Sequence, residues 1–192
     1  MNKQLTRYFL YFLALPLLWS CGNDDEPSRE NNLQGTWEIQ SSELEGYSFT
    51  GSFLFFSGEI DQDNIRNIPV ISDYANDLED TLKAAVDEAL PPGTTINLND
   101  GSDFSISSSS FLNGNGDWSA ADDRLNLNFT IDDQAFGLDY TINQLTDRQM
   151  VLGLTVNEQT LADLVGEVIE LNYEGVTVDE YSVSYTFLLN KQ

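Results

Sequence analysis

Leu125-Asn126-Leu127-Asn128-Phe129-Thr130-Ile131, followed by Phe136-Gly137-Leu138-Asp139-Tyr140-Thr141-Ile142, places an apolar side chain at every second position in two successive segments. A period of two belongs to a strand with one buried and one wet face, the pattern of antiparallel sheet. Toward the C-terminus, Met150, Leu152, Leu154 and Val156 repeat it, as do Tyr181, Val183, Tyr185, Phe187 and Leu189. Toward the N-terminus, Ile96 and Leu98 lead through the turn Asn99-Asp100-Gly101-Ser102 to Phe104 and Ile106, and the Gly-rich Asn113-Gly114-Asn115-Gly116 precedes Asp117-Trp118. Connections as short as Thr146-Asp147-Arg148 make neighbours in sequence neighbours in space, so these segments read as a meander.

Two stretches break the period. Ala75, Leu78, Leu82, Val86 and Ala89 recur at steps of three or four, which predicts an amphipathic helix capped by Ser72 or Asp73 and stopped by Pro91-Pro92-Gly93. A shorter helix opens at Asn157-Glu158-Gln159 and runs to about Glu170, with Leu161, Leu164, Val165 and Val168 on one side. Upstream, Leu33 to Ile39 reads as a strand, Glu45-Gly46 as a turn and Tyr47 to Phe56 as the returning strand, ending in the run Phe53-Leu54-Phe55-Phe56. Residues 57–71 are less regular. There Asp61-Gln62-Asp63-Asn64 looks faintly like a calcium loop, but Ile65 stands where a ligand should be and the terminal glutamate is missing. Glu174-Gly175 turns the chain into its last strand.

The fold class that follows is mainly β, with about eight to ten antiparallel strands and two amphipathic helices. A sheet of that length with one wet face tends to close on itself and so remove its edges. An up-and-down β-barrel is expected over residues 33–192, and a strongly bent open sheet with helices covering one face is the alternative.

Gly35-Thr36-Trp37 resembles the Gly-x-Trp signature of lipocalins, whose tryptophan closes the base of the barrel. Asn99-Asp100-Gly101-Ser102, Gly116-Asp117-Trp118, Leu125-Asn126-Leu127, Tyr140-Thr141-Ile142-Asn143-Gln144-Leu145-Thr146 and Met150-Val151-Leu152 then follow in order. That succession resembles the lipocalin-like domains of Bacteroidota lipoproteins over most of residues 33–189. The resemblance implies a lipocalin-like barrel that binds a small apolar ligand, with no ligand residues specified. The chain departs from animal lipocalins in three ways. The last strand has no arginine to pack on Trp37, only Lys191 near its end; a disulfide is impossible with one cysteine; and a long helix interrupts the early strands.

Residues 1–20 read as a secretory signal. Lys3 and Arg7 precede an apolar run from Tyr8 to Leu18 that is too short to span a bilayer, which takes about 20 apolar residues. Leu18, Ser20 and Cys21 resemble a bacterial lipobox, in which the cysteine thiol is lipidated before cleavage. An acylated Cys21 would anchor stably, each buried methylene adding about 0.8 kcal/mol. Asp24, Asp25 and Glu26 resemble the acidic export signal of Bacteroidota surface lipoproteins. Residues 21–32 are thus expected to form a lipidated acidic tether, ten flexible residues of which reach about 17–19 Å. The expected location is the outer membrane, at the cell surface or on the periplasmic face.

The formal charge is −24, from 32 acidic and 8 basic side chains. Such a surface repels nucleic-acid phosphates and anionic lipid, so membrane association must come from the lipid on Cys21. With 41% hydrophobic and 11% aromatic residues the chain is nonetheless expected to fold. There is no histidine, and with Cys21 committed to lipid the mature domain has no thiol, which excludes serine–histidine, cysteine–histidine and zinc-type chemistry. No Gly-x-Ser-x-Gly elbow or phosphate loop occurs. No enzyme activity, cofactor or metal is expected. Two functions stay open. One is binding of a small apolar ligand inside the barrel; the other is a non-enzymatic surface-interaction or accessory-subunit role with a filled core. Trp118, beside Asn115 and Asp117, reads as packing in preference to a sugar-stacking residue.

Overall fold

The computed structural model describes residues 32–53, 56–68, 72–110, 112–131, 134–165 and 176–192. Among them nine strands form one sheet: β1 Gly35–Phe53, β2 Phe56–Asp61, β3 Thr95–Leu98, β4 Asp103–Ser107, β5 Gly114–Ala121, β6 Arg124–Ile131, β7 Gln134–Leu145, β8 Gln149–Asn157 and β9 Val176–Lys191. Two α-helices accompany them, α1 Ala75–Ala89 and α2 Glu158–Val165. From β3 to β9 each strand pairs antiparallel with the next, and β1 pairs with β3 on one edge and β9 on the other. Eight strands therefore close into an up-and-down barrel, as the alternation predicts. β2 stands outside the ring, paired with Ser48–Phe53 of β1.

Closure follows from the period-two pattern. Leu125, Leu127 and Phe129 on β6, Leu138, Tyr140 and Ile142 on β7, and Tyr181 to Leu189 at alternate positions on β9 are all buried in one contiguous core. Folded flat, that apolar face would meet water along its whole width; rolled up, it meets itself.

At the N-terminal end, the sequence reading needs correction. Glu45-Gly46 is not a turn, because β1 runs unbroken for 19 residues. Its partner β9 keeps a ladder along nearly its whole length, and register shifts at Ile39/Ser41, Leu44/Gly46 and Thr50/Gly51 absorb the irregular residues. Each bulge bends the strand without ending it. Phe56 does not end the returning strand but opens β2. Asp61-Gln62-Asp63-Asn64 is a turn closed by its own side chains. Asp61 Oδ1 accepts the Asp63 and Asn64 N–H groups at 3.0 and 2.9 Å, and Asn64 Oδ1 accepts the Asp61 N–H at 3.0 Å. α1 follows a 3₁₀ turn at Ser72–Tyr74, and its N-cap is Tyr74, with no side-chain cap bond from Ser72 or Asp73. The expected stripe Ala75, Leu78, Leu82, Val86 and Ala89 is buried. Asn157 does open α2, its Oδ1 accepting the Thr160 N–H at 2.9 Å. The expected continuation to Glu170 with Val168, the Glu174-Gly175 turn, Leu54-Phe55 and the Phe53 and Phe56 side chains lie outside the described residues.

The barrel's two ends differ. Turns 99–102, 122–123 and 146–148 cluster at the base, where the chain also enters at Asn32. Trp37 is fully buried there, its Nε1–H donating to the Leu33 carbonyl at 2.6 Å. Lys191 Nζ stands 5.1 Å from the Trp37 ring centroid and donates to the Asn32 carbonyl at 3.1 Å. The last strand thus does place a cation on this indole, as a lysine. Gly35 makes room for it: its φ is +124°, and a Cβ there would collide with the Lys191 side chain. Both helices lie at the other end, the mouth.

Candidate functional site

The mouth is the place where an eight-stranded barrel can admit a small ligand. Here α1 occupies it. Leu78, Leu82 and Val86 are at most 1% exposed and belong to the same cluster as the inward-facing residues of the strands. Polar bonds hold the helix down at several points. The Tyr185 hydroxyl rises from β9 and donates to the Leu82 carbonyl at 2.8 Å. Ser110 Oγ donates to the Ala89 carbonyl at 2.8 Å, anchoring the last turn, and meets Ser108 Oγ at 2.8 Å. Ser42 on β1 hydrogen-bonds Asp87, which also pairs with Lys83. Near the start, Glu79 takes a two-pronged ion pair from Arg66.

Below the helix the interior holds edge-to-face aromatic contacts, Tyr140 on Phe187 at 6.2 Å, Phe104 on Phe129 at 5.7 Å and Phe129 on Phe136 at 4.9 Å. Burial pushes the Tyr140 phenol well above the usual tyrosine range. Tyr185 moves the same way, by burial first and then by its neighbours Tyr181 and Asp87. The Tyr140 hydroxyl has no hydrogen-bond partner among the described residues, in contrast to that of Tyr185.

A cleft of about 430 Å³ lies outside the barrel, open to solvent. Its walls are Ser48, Phe49 and Thr50 of β1, Glu180, Tyr181 and Ser182 of β9, and Asn157, Glu158 and Gln159 where β8 passes into α2. The ladder builds it: Ser182 pairs with Asn157 on one side and Ser48 on the other, with Ser48 and Ser182 Oγ atoms 3.0 Å apart. Burial and then the charge of Glu158 push the Tyr181 phenol up to about 12. Both carboxylates, Glu158 and Glu180, lie on these walls and no basic residue does. The cleft therefore suits groups that donate hydrogen bonds or carry positive charge, and it disfavours anions.

Of the residues marked from sequence, Leu18, Ser20, Cys21, Asp24, Asp25 and Glu26 lie outside the described residues. Trp118 is 6% exposed and its Nε1–H donates to the Asn99 carbonyl at 3.0 Å, so it packs at the base and offers no open ring to a sugar. The cleft residues carried no signal in the sequence. They come from three distant segments, and nothing local announces that β1 and β9 are partners.

Fold and site define a closed eight-stranded antiparallel barrel, stoppered at its mouth by a helix and bearing on its outer wall a cleft lined by Glu158 and Glu180. Comparison with protein-family models, curated proteins and solved structures gave no match. No helix among the described residues is long and apolar enough to cross a membrane.

Proposed function

We propose that this protein is an outer-membrane lipoprotein of the Bacteroidota type, anchored through lipid on Cys21, whose lipocalin-like barrel serves as a non-enzymatic interaction module or accessory subunit at the cell surface. The observation that carries the reading is the filled mouth: the α1 stripe takes the space that an internal apolar ligand would need. The surface is then left to do the binding, and the cleft is within the size range of ligand sites. Anchoring rests on the sequence, in which one cysteine stands directly after Leu18-Trp19-Ser20 and before an acidic tether. The non-enzymatic reading rests on the lack of histidine and of a thiol in the mature domain.

Cys21→Ala in the native host should move the protein from the membrane to the soluble fraction; retention in the membrane would refute lipid anchoring. Native mass spectrometry of the protein from its host should give the mass of the lipidated chain alone. A co-purifying apolar small molecule would return the interior to its ligand-binding reading.

A further inference from the structure

Closing the barrel through β1 and β9 leaves β2 at the margin of the sheet, with β1 on one side and no strand on the other among the described residues. The register fixes which way its backbone groups point. Ser48 pairs with Asp61, so Tyr47 stands opposite Gln62, and the Gln62 N–H donates to the Tyr47 carbonyl at 3.1 Å. Gln62 therefore turns its backbone toward β1. Successive residues of a strand turn theirs to opposite edges. Ile60 and Gly58 then also face β1, while Ser57, Glu59 and Asp61 face outward. The Asp61 N–H agrees, being taken up by the Asn64 side chain and by nothing on β1. Ser57 and Glu59 are left with an N–H and a carbonyl each, on exposed residues and without protein partners among the described residues. Four ladder hydrogen bonds are on offer.

The charge around this edge selects what can take them. Thr50 pairs with Glu59 on β2 and with Glu180 on β9, which sets three exposed side chains in a row across the outer face. Glu180 continues that row into the cleft, whose other carboxylate is Glu158. A second copy of this chain would bring the same acids against it, with −24 on each molecule. Like charges opposite one another across a strand pair are destabilising and opposite charges favourable. The edge also lies far from where the chain enters, with Ser48 about 40 Å along β1 from Gly35.

We infer that the outer edge of β2 is a strand-addition site for an extended, lysine- or arginine-bearing segment of a partner protein, held by the free Ser57 and Glu59 backbone groups and oriented by the acidic row of Glu59 and Glu180. Main-chain bonds give such a site its affinity and alternate side chains its selectivity. The inference rests on the interaction-module reading above, and its test uses binding in solution, which neither lipidation nor the barrel's contents affects.

The probe is an octapeptide of alternating lysine and valine, titrated against the mature chain and followed by amide hydrogen exchange and calorimetry. Saturable one-to-one binding that slows exchange at Ser57 and Glu59 is expected. Ser57→Pro removes an outward N–H with no change of charge, which an edge strand tolerates. Glu59→Pro removes an outward N–H together with one carboxylate of the row. Each should weaken binding about tenfold or more with the far-ultraviolet circular dichroism unchanged. On the unaltered protein, the same peptide with alternate N-methylated residues keeps its charge but cannot pair, and should bind comparably weakly. Equal binding by the proline variants or the methylated peptide would mean charge adsorption alone and overturn the proposal, as would no saturable binding. Sedimentation showing a dimer that Glu59→Pro abolishes would overturn the assignment to a foreign partner and give the edge to a second copy.

Discussion

Two tyrosines inside the same barrel have opposite standing. Tyr185 spends its hydroxyl on the Leu82 carbonyl of α1 at 2.8 Å, while the Tyr140 hydroxyl makes no hydrogen bond to a described residue. Removing the Tyr185 hydroxyl loses a buried hydrogen bond, whereas removing the Tyr140 hydroxyl loses none to a described residue. Tyr185→Phe should therefore cost about 1–2 kcal/mol in urea unfolding, and Tyr140→Phe should be neutral or stabilising. Equal losses would show that both hydroxyls are bonded. Alkaline pH tests the same groups. Tyr140, Tyr181 and Tyr185 all ionise above their ordinary value of 10.0 in the folded chain, chiefly through burial. Unfolding returns them to that value, so above it the unfolded chain loses phenolic protons first. Stability from these groups is complete below about pH 10 and declines as pH rises toward the native values. Urea midpoints should stay level up to about pH 9.5 and fall by about pH 11, and Tyr185→Phe should make the fall shallower. An identical fall in that variant would contradict the assignment.

The decisive element is α1. Its stripe was readable from spacing, because steps of three and four put five apolar residues on one face whatever that face meets. Its place was not readable, since the same stripe would equally cover an open sheet. In the closed barrel, Leu82 is 1% exposed and sits where its own carbonyl takes the Tyr185 bond. Leu82→Ala should cost about 2–5 kcal/mol and open a void in the mouth. Chemical denaturation gives the cost, and benzene-induced shifts in a methyl NMR spectrum report the void. A loss below about 1 kcal/mol would mean that the helix only rests on the rim. β1 shows the converse limit. Glu45-Gly46 has the composition of a turn, yet β9 holds the strand through it, because a continuous partner ladder makes a bulge cheaper than a break.

At the scale of the whole molecule, charge dominates. The described domain carries five basic side chains, and two of them, Arg66 and Lys83, are in ion pairs with Glu79 and Asp87. Most of the acids are left to repel one another, which opposes the compact state and is screened by salt. Raising sodium chloride from about 0.01 M to about 0.5 M should raise Tm, most of the gain coming early as the Debye length shrinks. A flat or falling Tm would mean that the acids are spread too far apart to matter. The same excess of charge keeps β2 from pairing with its own kind and leaves its edge to a basic partner.

Sequence alone determined the strands of the meander, the apolar faces of both helices and the acid excess, because each is set by residue spacing or composition within a short stretch. Closure of β1 on β9, the lysine on Trp37, the helix in the mouth, the cleft and the outlying β2 were decided only by tertiary structure. Each joins segments far apart in the chain, and which of them meet is settled by the free energy of burying one shared face.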